Sequence, residues 1–246
     1  MPDERAFEEA KKKIIGVDRQ RLGIGTLSEK TVHALLKQYM EPDEDHQEIP
    51  IENYVADIYR DGEIIEIQTR QFNKLRNKLT AFLPLYPVTI VYPIPREKQV
   101  IWIDTETGEL SKPRKSPLKG TPYTVFPELY KIKMFLKDEN LRFRLILMDM
   151  EEYRELNGWS KDKKKGSSRY DRIPSQLINE VEINCLKDYM QFVPYELEGE
   201  FTVKEFAKAA HIPTKLAGMV INILYYVETI DRTGKIGNAY LYTVRE

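Results

Sequence analysis

The stretch Tyr54–Thr69 constrains this chain most. Asp61-Gly62 there divides two runs of strand character. Asp-Gly takes the positive backbone angles that a tight hairpin turn demands. In the returning run, Ile64, Glu66 and Gln68 alternate with Ile65 and Ile67, the two-residue period of a strand. A hairpin needs a sheet to join and helices to cover it, and the flanks provide both. Residues 27–40 place Leu27, Val32, Leu35 and Leu36 on one helical face behind a Thr26 or Ser28 cap. Residues 71–83 repeat the pattern with Phe72, Leu75, Leu79 and Phe82. Gln47–Ile51, Val88–Tyr92 and Gln99–Asp104 read as further strands, the last two joined through Pro93-Ile94-Pro95. An α/β class follows, a mixed sheet flanked by helices, with another helix over 3–15.

Composition narrows the class of function. Of 246 residues, 41% are hydrophobic and 31% charged, enough apolar material for real cores. A single cysteine, Cys185, forms no internal disulfide, which fits a reducing cytoplasm. The first residues, MPDERAFEEAKKK, lack the apolar core of a signal peptide. No apolar run reaches the roughly 18 residues of a membrane span, so no membrane partner is expected. One Cys and three scattered His supply no zinc cluster.

The hairpin also carries chemistry. Asp57 lies within Tyr54-Val55-Ala56-Asp57-Ile58-Tyr59 and Glu66 within Ile64-Ile65-Glu66-Ile67. Pairing across the turn lets both carboxylates share a face. Acids among apolar neighbours need a partner or a metal, and two carboxylates with a polar neighbour suit a hard cation such as Mg²⁺. The plainer alternative is the solvent face of an antiparallel sheet.

The order of helix with Glu29, short strand, strand with Asp57, strand with Glu66-Ile67-Gln68, helix and strand resembles the PD-(D/E)XK, or restriction-endonuclease-like, superfamily over about residues 20–105. The resemblance implies an αβββαβ core, Mg²⁺ (or Mn²⁺) on Asp57 and Glu66, help from Glu29, and Gln68 in the usual lysine position. Together these imply metal-dependent hydrolysis of phosphodiester bonds in DNA. This chain departs from the pattern at Ala56, which replaces a proline, and at Gln68. A neutral amide supplies neither positive charge nor a base. Lys74 or Lys78, on the next helix, is placed by sequence to restore the charge. His33, one helical turn beyond Glu29, is a further candidate for the same site.

Beyond the core, residues 106–175 hold 16 Lys/Arg against 11 Asp/Glu. The bases gather at Lys112–Lys119 and in a polar segment over 157–175 that reads as a basic loop. In that segment Lys163, Lys164, Lys165, Arg169 and Arg172 are suited to phosphate contacts. Phe126–Lys137 reads as a helix and Arg142–Met150 as a strand. The tail contains a capping box at Thr202 and Glu205, a helix over 214–227 and a terminal hairpin. It resembles a winged helix-turn-helix, in which Lys215, Arg232 and Lys235 would contact DNA. The expected domains are a nuclease-like 1–175 (core about 20–150) and a winged 176–246. The expected partner is double-stranded DNA, and a homodimer is compatible with the pattern. The rival expectation is a non-enzymatic DNA-binding regulator or protein-interaction module that keeps an inactive nuclease fold. The formal net charge of −1 cancels a local acidic cup against basic arms.

Overall fold

The structure is a computed structural model. It describes residues 2–20, 31–159 and 165–245, with side chains described except at 16–20, 156–159 and 165–167. The secondary structure begins with α1 (Glu4–Gln20), α2 (Thr31–Met40), β1 (Gln47–Ile51), β2 (Tyr54–Arg60) and β3 (Glu63–Ile67). A 3₁₀ turn at Phe72–Leu75 leads into α3 (Arg76–Phe82), followed by β4 (Val88–Ile103), β5 (Arg114–Lys115), α4 (Phe126–Leu129), β6 (Leu141–Trp159) and β7 (Lys165–Ile183). The chain ends with α5 (Val203–Ala209), α6 (Thr214–Tyr226), β8 (Ile230–Ile236) and β9 (Ala239–Val244).

The class is mixed α/β. A seven-stranded sheet runs in the order β1-β2-β3-β4-β6-β7, with β5 paired to β4. β1 and β2 are antiparallel, with Ile49 opposite Ala56. β3 and β4 are parallel, with Glu66 opposite Ile90. That parallel pair needs a crossover, which the 72–82 helical segment supplies. β8 and β9 form a separate antiparallel pair. Among the described residues, no helix is long and apolar enough to cross a membrane.

Contacts divide the chain into two compact units that do not follow chain order. The first comprises residues 1–59, 93–121 and 146–180. In it, Phe7 and Ala10 of α1 and Val32, Leu35 and Leu36 of α2 are buried, the i, i+3, i+4 stripe of a core-facing helix. Phe7 meets Tyr39 edge to face at 5.7 Å. Asp3 begins α1 by accepting the Ala6 N–H at 2.9 Å. On the sheet side, the Tyr39 hydroxyl donates to Glu180 at 2.6 Å.

The second unit comprises residues 60–92, 122–145 and 181–246. Ile64, Ile65 and Ile67 of β3, Phe72, Leu79 and Phe82, and Val88, Ile90 and Val91 of β4 are buried. A ring cluster joins the middle of the chain to its tail. Phe126 packs on Phe192 at 5.0 Å, and Tyr123 packs on Phe206 at 6.4 Å. The expected 176–246 module therefore shares its core with residues 122–145. The Thr202 capping box is formed: Thr202 accepts the Glu205 N–H, and Glu205 accepts the Thr202 N–H at 2.7 Å.

Three expectations need correction. The two strands read on either side of Pro93-Ile94-Pro95 are one, β4. Proline's fixed φ suits extended backbone, and its missing donor costs only a ladder bond. The helix expected over Phe126–Lys137 is broken: α4 is four residues long and 3₁₀ turns flank it. Buried Ile132 lies at φ −119°, ψ 23°, outside helical geometry. The basic loop expected over 157–175 is strand at 157–159 and 165–175, parts of β6 and β7. Its Ser, Gly and Lys content suggested a loop, but Pro174 and Leu177 bury into the first unit. Residues 160–164 lie outside the described ones.

Candidate functional site

Glu66 sits near the end of β3 with its side chain 4% exposed. Both faces of β3 are buried from Ile64 to Ile67, so Glu66 needs a counter-charge. That charge comes from α3, where Lys78 Nζ donates to both carboxylate oxygens, at 2.9 and 2.8 Å. Lys78 is one of the two lysines the sequence offers as a substitute for the missing motif lysine. The other, Lys74, is exposed in the 3₁₀ turn. Gln68, just beyond β3, donates its backbone N–H to Val91 at 2.9 Å and its side-chain amide to the Arg70 carbonyl.

Asp57 belongs to the first unit, partly buried in β2 between Ala56 and Ile58, both fully buried. His33 of α2 meets it, Nε2 to Oδ2 at 3.3 Å. α2 is also fixed by Thr31, whose hydroxyl donates to Asp171 of β7. Glu29 lies outside the described residues, as do Lys163 and Lys164, and the Lys165 side chain is not described. Each proposed metal ligand that is described therefore has a basic partner on the neighbouring helix. Among the described residues, no group of three or more His, Cys, Asp or Glu is assembled to hold a metal ion.

The other predicted contacts fall in two places. Arg169 is exposed on β7 and faces Glu152 of β6 at 3.6 Å, and Arg172 is half-buried on the same strand. In the tail, Arg232 lies over the rings of Tyr240 at 4.0 Å and Tyr225 at 5.0 Å. Lys235 lies 4.4 Å from the Tyr240 ring. Both are exposed on β8, so the hairpin presents cations braced on aromatic faces. Lys215 is exposed in the first turn of α6. The rest of the outward side of α6 is partly engaged: Asn222 accepts from Lys133 at 2.8 Å, and Tyr226 carries Lys133 at 4.6 Å and Lys137 at 5.2 Å. Sequence reasoning missed Tyr225 and Tyr240, whose tail positions gave no sign that Arg232 would stack on them. It also missed the Glu152 cluster, because Lys98 and Arg169 reach it from other strands.

Residues 30–184 match the model of a protein family described as a domain of unknown function, DUF8091. The chain belongs to the DUF8091 family. That match covers the α2–β7 region and includes both His33–Asp57 and Glu66–Lys78. This DUF8091 chain is also 30% identical over 162 residues to an uncharacterized protein of Treponema pallidum (strain Nichols). The alignment covers 65% of this chain and 62% of that protein. No solved structure matches it.

Proposed function

We propose that this DUF8091 protein is a metal-dependent nuclease-like enzyme that hydrolyses phosphodiester bonds in DNA. Its core is of the restriction-endonuclease type and its tail is a winged helix-turn-helix. The observation that carries the proposal is the Lys78–Glu66 contact. It returns to the Glu66-Ile67-Gln68 motif the positive charge that Gln68 lacks. The donor chemistry fits Mg²⁺ or Mn²⁺: Asp57 and Glu66 offer hard carboxylate oxygens and Gln68 an amide oxygen. Glu29 is the third acid this reading needs. When bound, the ion lowers the pKa of a coordinated water and offsets charge on the phosphate.

The chain's own residues do the rest. Lys78 orients the Glu66 carboxylate in a buried setting, and its ammonium offers a positive charge to a phosphate oxygen. His33 fixes the Asp57 carboxylate. Arg169, Arg172, Lys215, Arg232, Lys235 and the lysines at 163–165 of the sequence supply contacts to a duplex backbone.

The test is plasmid cleavage with Mg²⁺ and with Mn²⁺. The wild type should nick or linearise DNA, and Asp57→Ala and Glu66→Ala should each lower the rate by at least about a hundredfold, the scale expected when charge stabilisation at the reacting centre is lost. A wild type inert with both metals would sink the enzyme reading. Cleavage that survives both alanine changes would sink the site.

A second reading has its own support. Lys78 takes both oxygens of Glu66, which is also how a purely structural buried ion pair looks. Lys133 and Lys137 engage the outward side of α6 as well. A DNA-binding regulator or protein-docking module with a retired nuclease core would show these features. It would leave DNA uncut while Glu66→Ala still lowered stability. A gel-shift salt series separates its two forms, because DNA binding weakens steeply with salt.

A further inference from the structure

Glu152 of β6 is 1% exposed, yet three cations converge on it. Arg154 Nε lies at 2.7 Å, Lys98 Nζ at 3.0 Å and Arg169 Nε at 3.6 Å. Burial by itself would push the Glu152 carboxyl up. Hydrogen bonds from Arg154 and Lys98, with the charges of Lys98 and Arg169, hold it below the ordinary carboxylate range. The carboxylate is thus fixed as an anion with three cations gathered around it. Elsewhere in the same unit, Asp149 takes both fork nitrogens of a single Arg96, a matched pair.

The geometry of the cations is also informative. Arg154 lies 5.9 Å from the centre of the Trp102 ring, which limits how far its guanidinium swings. Arg169 approaches Glu152 beyond hydrogen-bond range, so it is held there by charge and its N–H donors are not spent on Glu152. Both arginine side chains remain about one-third exposed, at 33% and 34%. A buried anion that gathers partly exposed guanidiniums pre-pays the cost of bringing like charges together. A phosphate then gains charge-assisted hydrogen bonds from groups already in place.

We propose that Lys98, Arg154 and Arg169, organised by Glu152 and Trp102, form a binding site for the phosphate backbone of a nucleic-acid strand. This deepens the nucleic-acid part of the proposed function and rests on it, but it needs neither the metal nor cleavage. Glu152 and Trp102 act as positioning residues; the three cations touch the strand.

The experiment is fluorescence anisotropy of labelled single- and double-stranded oligonucleotides with the full chain in EDTA, between 50 and 200 mM salt. The Lys98→Gln/Arg169→Gln double variant should bind about tenfold more weakly, with a salt slope flatter by about one to two. The charge-keeping Lys98→Arg/Arg169→Lys pair should bind like wild type, which separates charge from misfolding. Equal affinity and slope in wild type and the glutamine pair would overturn the site. So would a wild type that binds neither oligonucleotide, or full displacement of the oligonucleotide by inorganic phosphate at matched ionic strength, which would mark a small-anion site instead. Cleavage is scored separately. Binding lost in the glutamine pair while wild type never cuts would refute the nuclease and leave this site standing.

Discussion

Glu66 and Asp57 face the same electrostatic demand and meet it with different bases. Glu66 is nearly fully buried and takes a lysine on both oxygens. Lys78→Met should destabilise the protein by about 3 kcal/mol, because it leaves a buried carboxylate without its partner. The Glu66→Gln/Lys78→Met pair should recover much of that loss. Urea midpoints for the singles and the double would show it, and simple additivity would mean the two groups are not coupled. Glu97 makes a cleaner pH prediction. Hydrogen bonds from Lys115 and Lys119 lower its carboxyl from 4.5 to about 2. A folded-state value below the unfolded one adds stability above the ordinary carboxylate range, and that stability is lost as pH falls towards 2. Carboxyl NMR should give a midpoint near 2 for Glu97; a midpoint in the ordinary range would refute the lysine clamp.

At the scale of elements, local signals succeeded where they act through neighbours in the chain. Asp61-Gly62 reads as a turn in the sequence, and positive φ occurs at both residues. The capping box at Thr202 is likewise a local device, and Thr202→Ala should cost about 1 kcal/mol, read as a fall in thermal midpoint. Elements decided by distant packing were harder to read. β4 continues through two prolines, and Gly120 donates its N–H to the carbonyls of Pro95 and Arg96, each at 3.0 Å. A Cβ at Gly120 would sit 2.3 Å from the Pro95 oxygen. Gly120→Ala should therefore destabilise by about 1–3 kcal/mol, and a neutral result in denaturant unfolding would show that this crossing relaxes freely. The 165–175 segment carries a loop's composition, yet β7 runs through it.

For the whole molecule, the informative fact is that the compact units interleave along the chain. The tail reads as a domain in the sequence because helix, turn, helix and hairpin follow one another. Its core, however, includes Phe126 from 122–145 packed on Phe192. A fragment spanning residues 176–246 should lack cooperative thermal unfolding, and a sharp transition in that fragment would restore an autonomous tail. Phe126→Ala in the full chain should cost about 3–5 kcal/mol.

The sequence by itself determined the order of helices and strands across the hairpin region, the capped start of the first tail helix and the identity of the acidic candidates. Those properties depend on hydrophobic period, turn chemistry and capping, which act within a few residues. It also offered Lys74 or Lys78 as a candidate charge, because a helix follows the motif. Only the tertiary structure decided that Lys78 rather than Lys74 meets Glu66, that β4 does not stop at its prolines, and that three cations from separate strands surround Glu152. Those outcomes depend on which buried charge must be neutralised and by which side chain within reach, a condition that exists only once distant segments have packed.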